Sequence, residues 1–79
     1  MTDDPLYEPL RDAIRWQIFL AGATDGMVPA AIARATYERC KSGEMKNCKP
    51  FLDAHWNATA AAIAAVQFIR HLPNAPDHD

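Results

Sequence analysis

The sequence predicts an all-α protein, a three-helix bundle whose C-terminal helix is long and rich in alanine. Apolar residues recur three and four positions apart in three segments, which is the spacing of a helix face. The prolines and glycines lie at the ends of these segments, where helices begin and end. The length of 79 residues allows one domain at most, and 49% apolar content is typical of a folded chain.

The first predicted helix runs from about Pro5 or Pro9 to Gly22. Asp4 can cap the start of a helix with its side-chain oxygen. Pro5 then stands at the first helical position, where a backbone N–H has no partner in the helix and its absence costs nothing. Pro9 removes a backbone hydrogen bond one turn later, so both starting points remain open. Gly22 and the turn residues 24–26 end the segment.

This first helix is apolar almost all the way round, which is more apolar surface than one small core covers. One stripe has helical spacing and is predicted to form the internal core: Leu10, Ala13, Ile14, Gln17, Ile18 and Ala21. A second stripe points elsewhere: Trp16, Phe19, Leu20 and Ala23. Aromatic side chains near Arg11 and Arg15 have the composition of a binding hot spot. We therefore predict Trp16, Phe19 and Leu20 to bind a partner, the alternative being an internal wall of the bundle.

The second helix is predicted from about Pro29 to Ser42, and Gly43 supplies the left-handed residue that commonly closes a helix. Its apolar positions are predicted to share one buried face: Val28, Ile32, Ala35, Thr36 and Cys40.

The third helix is predicted from about Pro50 to just before Pro73, after which residues 73–79 are expected to be a mobile tail of a single 1–79 domain. Its seam alternates spacings of four and three and is predicted to pack lengthwise: Leu52, Trp56, Thr59, Ile63, Val66 and Arg70. Trp56 is expected in the core, and the many alanines allow neighbouring backbones to approach closely.

Charge is distributed unevenly although the net charge is only −2. The N-terminal segment is acidic and carries Asp3, Asp4, Glu8 and Asp12, whereas residues 34–49 are mainly basic. If the chain inhibits a bacterial complex that handles nucleic acid, we predict that these four acids contact it, because such complexes often present basic grooves. So small a net charge argues against binding of nucleic acid by this chain.

No residues form a recognisable catalytic or metal-binding set, so we expect no enzyme activity, no cofactor and no metal. Cys40 and Cys48 could form a disulfide but are expected to be free thiols in a cytosolic protein. His55 is expected to lie on the helix surface or to pack.

The acidic N-terminus does not look like a signal peptide, and no apolar run reaches the roughly 20 residues that span a bilayer. The predicted location is cytoplasmic, without membrane contact.

The sequence I-A-R-A-T-Y-E at 32–38, followed by Trp56 and A-T-A-A-A-I-A-A-V at 58–66, resembles small helical proteins of proteobacterial phages and prophages. This resemblance covers the last two helices and implies an accessory protein that docks on a bacterial host or defence complex and inhibits it, as anti-CRISPR proteins do. We therefore expect a non-catalytic protein-binding module whose partner is a bacterial protein complex or a second copy of the chain.

Two alternatives remain. The first is a small DNA-binding regulator, because residues 32–36 are similar to the first helix of a helix-turn-helix repressor, although Tyr37 stands at the turn position. The second is a self-associating structural protein.

Overall fold

The computed structural model describes residues 4–72, which form α1 (Tyr7–Asp25), α2 (Ala30–Lys41) and α3 (Lys49–Arg70). The predicted all-α, three-helix architecture with a long C-terminal helix is confirmed. The predicted mobile tail, residues 73–79, lies outside the described residues.

The start of α1 depends on Asp4. Its Oδ1 accepts a hydrogen bond from the Leu6 N–H at 2.9 Å, and its carbonyl accepts one from the Tyr7 N–H at 2.9 Å. Pro9 lies in the first helical turn, where a backbone N–H has no partner inside the helix. The second proline therefore does not interrupt the helix, and α1 begins between the two predicted starting points.

Glycines follow both α1 and α2, but the predicted end of α1 at Gly22 is wrong. Helix α1 continues past Gly22 to Asp25, and the Gly26 N–H donates to the Gly22 carbonyl at 3.2 Å. Gly43 follows α2 with φ of 86°, a left-handed conformation that glycine adopts without a steric penalty.

Helix α1 is central and runs antiparallel to both other helices. The ion pair of Arg70 with Asp4 joins the end of α3 to the start of α1. The ion pair of Lys41 with Asp12 places the end of α2 beside the N-terminal half of α1. Helix α3 is about 33 Å long and α2 about 18 Å. Among the described residues, the bundle therefore has three helices at one end and an α1–α3 pair at the other.

Alanine residues form most of the buried face of α3, and this corrects the predicted seam. Four residues spaced by four face the interior: Ala54, Ala58, Ala62 and Val66. Trp56 is 71% exposed, Leu52 and Arg70 are also exposed, and only Val66 of the predicted seam is buried. Alanine side chains allow the α1 backbone to approach closely, so the small residues face inward and the large ones face outward.

The buried face of α2 also differs from the prediction. Tyr37 is fully buried together with Ala33 and Cys40, whereas Val28, Ile32 and Ala35 are exposed. Tyr37 turns inward because its ring contacts those of Trp16, Phe19 and Phe51. Its hydroxyl also forms hydrogen bonds with Arg15 and Asp12 of α1.

The two stripes of α1 have largely exchanged their predicted roles. Phe19 is buried, and Trp16, Leu20 and Ala23 are half-buried against the same core cluster. In the stripe predicted as core, Leu10 and Ile14 are half-buried, whereas four members are exposed: Ala13, Gln17, Ile18 and Ala21. The reason is that α2 packs on the aromatic side of α1 and Tyr37 completes the core there.

A disulfide joins Cys40 to Cys48, so the expectation of two free thiols is wrong. The loop after Gly43 turns back and brings the two Cα atoms to 6.3 Å. This bond ties the end of α2 to the residue that precedes α3. Such bonds persist mainly in oxidising compartments.

The alanine interface predicts a contrast between two matched substitutions. Ala58→Leu places a large side chain in the α1–α3 contact and should lower the free energy of unfolding by about 1–3 kcal/mol. Ala60→Leu adds the same atoms at an exposed position and should change it by less than about 0.5 kcal/mol. Urea denaturation of the two variants measures this difference, and equal effects would contradict the described register of α3.

Candidate protein-binding surface

A polar cluster around Arg15 connects all three helices. Arg15 is 5% exposed; its Nε donates to the Tyr37 hydroxyl at 3.1 Å and its Nη2 to Asp12 at 3.1 Å. Its Nη1 lies 2.8 Å from Nδ1 of His55, and its guanidinium carbon lies 4.7 Å from the centre of the Phe51 ring. Tyr37 in turn donates to Asp12 at 2.8 Å. Each of the three guanidinium nitrogens thus has a partner, and the cluster fixes the relative positions of the helices.

The protonation states of this cluster follow from its contacts. Burial raises the pKa of Asp12, but hydrogen bonds from Tyr37, Lys41 and Arg15 outweigh burial, so the pKa lies below its usual value. Burial lowers the pKa of His55, and the positive charge of Arg15 lowers it further. Because a guanidinium nitrogen only donates, Nδ1 of a neutral His55 is the acceptor.

The acidic residues predicted to bind a partner already have partners within the chain. Arg70 donates two hydrogen bonds of 2.8 Å to Asp4 and, with the Leu6 amide, lowers the pKa of Asp4 to about 2. Glu8 pairs with Arg11 at 2.6 Å, and Asp12 belongs to the Arg15 cluster. Asp3 lies outside the described residues. A role of these acids in partner binding stays a prediction.

The aromatic residues predicted to bind a partner mainly build the core. Phe19 is 8% exposed and belongs to the core cluster, and a role of these residues in partner binding stays a prediction. Trp16 is half-buried, with its ring 5.1 Å from that of Tyr37 and with the guanidinium of Arg34 lying 4.8 Å from its centre. Leu20 is half-buried against the same cluster. These side chains present little free surface to a partner.

The basic stretch 34–49 is largely neutralised by ion pairs. Four of its cations lie within 3.4 Å of a carboxylate: Arg34 with Glu38, Arg39 with Glu44, Lys41 with Asp12 and Lys49 with Asp53. This pairing reduces the unbalanced positive charge that phosphate groups would attract.

An apolar groove of about 480 Å³ opens where the three helices meet at the C-terminal end of α1. We call it the groove, and its lining is Ile18, Phe19, Gly22, Ala23, Val28, Ala33, Thr36, Pro50, Asp53 and Ala54. Asp53 is the one charged side chain in this lining. Small residues from all three helices leave the space open, and the spacing of large apolar residues in the sequence does not indicate it.

The exposed side of α1 continues this groove. A shallow apolar strip, here called the α1 face, consists of Ala13, Ile14, Gln17, Ile18 and Ala21. Ile18 belongs to both the groove and the α1 face, so the two surfaces are continuous. The sequence predicts a surplus of apolar surface on this helix, and the structure places it on the side opposite to the predicted one.

Further large apolar side chains lie at the surface of the described part of the chain. Leu52 and Trp56 are exposed on α3, and a group near its end consists of Phe68, Ile69 and Leu72. With Ile18, Met27, Val28 and Ile32, nine large apolar residues of segment 4–72 are exposed, whereas the large buried ones are Tyr7, Phe19, Tyr37 and Val66. The core of this molecule is small relative to the apolar surface that it leaves uncovered.

Within residues 4–72, His, Cys, Asp and Glu side chains form no group of three or more that could hold a metal ion. None of the three described helices has the length and hydropathy required to cross a membrane. Comparison of the chain with protein-family models, with curated proteins and with solved structures finds no match.

The neutral state of His55 predicts a pH-dependent stability. Because its pKa is below the ordinary value in the folded state, the unfolded chain takes up the proton first as the pH falls below about 6.5. The stabilisation that a neutral His55 gives is fully present above pH 6.5. It is lost as the pH falls toward the pKa of His55 in the folded state. His55→Gln keeps a hydrogen-bond acceptor that does not titrate, so its urea midpoint should fall less between pH 7.5 and 5.5 than that of the unaltered protein. Equal declines would contradict this assignment.

Proposed function

We propose that this chain is a non-catalytic protein-binding module, and that the groove with the adjoining α1 face receives an apolar helix of a partner protein. The observation that carries the proposal is the continuity of these two uncovered apolar surfaces through Ile18. Uncovered apolar surface of this kind commonly marks a site of protein association.

The geometry of the surface favours a helical partner. Ile14 and Ile18 are four residues apart and Ala21 follows after three, which is the ridge spacing against which another helix packs. Helix α2 covers the opposite side of α1, so a fourth helix would complete the bundle on the open side. Grooves of this type bind the apolar side of an amphipathic helix through a few bulky side chains.

The wider role rests on the resemblance of residues 32–38 and 58–66 to phage and prophage proteins. We propose an accessory protein that inhibits a bacterial host or defence complex by occupying its surface, in the manner of anti-CRISPR proteins. A cytoplasmic location belongs to the same proposal, and the Cys40–Cys48 bond is the observation that speaks against it.

Gly22 offers a direct test, because a Cβ added there would meet no atom within 4 Å. Gly22→Leu should place its side chain in the groove without disturbing the fold and should weaken partner binding by about tenfold or more. Gly22→Ala is the matched control: it adds only a methyl group, favours the helix by about 1 kcal/mol and should retain the partner.

The measurement is an affinity pull-down from the native host with the unaltered protein and both variants, followed by titration of the recovered protein. The proposal requires a protein that the unaltered chain and Gly22→Ala retain and that Gly22→Leu loses at unchanged helical content. Equal recovery by all three, or recovery of nothing by any of them, would overturn it.

A further inference from the structure

The disulfide between Cys40 and Cys48 lies at the wall of the groove. Cys48 is half-buried and packs against the core cluster that contains Phe19, Ala33 and Ala54. These three residues also belong to the groove lining, so the disulfide and the groove share one layer of side chains. The state of this bond therefore bears directly on the shape of the groove.

The bond joins two walls of the groove that are otherwise weakly connected. One wall contains Thr36 of α2, and the other contains Pro50 of α3. Helix α2 packs mainly against α1 and has few direct contacts with α3. Because Cys40 lies in the last turn of α2 and Cys48 directly precedes α3, the disulfide sets the separation of the two walls at this end.

The three helices have a second connection that does not depend on the disulfide. Arg15 of α1 donates to the Tyr37 hydroxyl of α2 at 3.1 Å and lies 2.8 Å from Nδ1 of His55 of α3. Segment 42–48 is not helical, and the disulfide closes it into a loop. Opening the disulfide therefore frees this loop and the adjoining groove walls, while the Arg15 cluster keeps the helices together.

We propose that the Cys40–Cys48 bond is a redox switch that controls binding in the groove. The disulfide form holds the groove ready for a partner, and the dithiol form binds that partner about tenfold more weakly. The inference rests on the proposed function, because the groove is the site that the switch regulates. Its physical basis is that a site ordered in advance loses less conformational entropy on binding than a site that the ligand must order.

The chemistry of the switch requires a dithiol reductant. Cys48 is half-buried whereas Cys40 is only 7% exposed, so Sγ of Cys48 is the accessible sulfur. A thiolate of the reductant bonds to Sγ of Cys48, and Sγ of Cys40 leaves as a thiolate that takes up a proton. The second thiol of the reductant then attacks the first, which releases Cys48 as a thiol and leaves the reductant as a disulfide. Two electrons and two protons pass to the protein, so binding in the groove is strongest under oxidising conditions.

The first experiment locates the structural change with two-dimensional amide NMR spectra of the full chain before and after addition of dithiothreitol. Signals of residues 36–54, which adjoin the disulfide, should shift. Signals of residues 62–70, at the far end of α3, should stay in place with their dispersion retained. Shifts throughout the chain, or loss of the folded spectrum, would overturn the inference because the switch needs a folded dithiol form.

The second experiment measures the groove itself with N-phenyl-1-naphthylamine, an uncharged apolar dye. The oxidised chain should bind the dye with a dissociation constant about tenfold lower than that of the reduced chain. Gly22→Leu fills the groove and should remove this binding in both states. The double variant Cys40→Ala, Cys48→Ser is the matched control, because serine still suits the position before α3 and no disulfide can form. It should bind weakly with or without dithiothreitol.

The inference is overturned if the oxidised and reduced chains bind the dye equally, or if the reduced chain binds it more tightly. Its failure is distinguishable from failure of the proposed function. A host protein that is recovered equally with and without dithiothreitol, and is lost through Gly22→Leu, refutes the switch alone. A redox-dependent dye site in a chain that recovers no host protein refutes the partner but not the redox control of the groove.

Discussion

The close contact between α1 and α3 through alanine side chains is the constraint on which the rest of this structure depends. Ala54, Ala58 and Ala62 face α1, so the opposite sides of α3 carry the bulky residues Leu52 and Trp56 into solvent. An interface made of methyl groups buries little apolar area for each residue, and the aromatic rings of α1 and α2 supply much of the remaining core. The exposed apolar residues of α3 are therefore a consequence of how this helix is oriented.

The Arg15 cluster complements this narrow interface. A buried guanidinium is costly unless every donor finds a partner, and here Asp12, Tyr37 and His55 come from three different helices. The requirement for these partners specifies one arrangement of the helices, which alanine contacts alone would define poorly. The groove opens next to this cluster, where Gly22 leaves the space between the helices unfilled.

The sequence was sufficient to predict the helices but not the sides by which they pack. Pro50 and Gly43 act through local backbone geometry, so the beginning of α3 and the end of α2 could be located from residue type. Which side chains are buried depends instead on which other helix packs against each side. Trp56 has the spacing of a core residue, yet alanines elsewhere on the same helix allow closer contact with α1. Periodicity alone does not decide whether Trp56 or these alanines face the interior. Tyr37 and Arg15 were missed as interior residues because their polar groups are satisfied only by partners distant in sequence.

The orientation of α3 can be tested through the two tryptophans of the chain. Variants Trp16→Phe and Trp56→Phe each leave a single indole, so that the two positions can be observed separately. Trp56 should emit like an indole in water and be readily quenched by acrylamide, while Trp16 should emit at shorter wavelength and be quenched several-fold less. A protected Trp56 together with an accessible Trp16 would contradict the described orientation of α3.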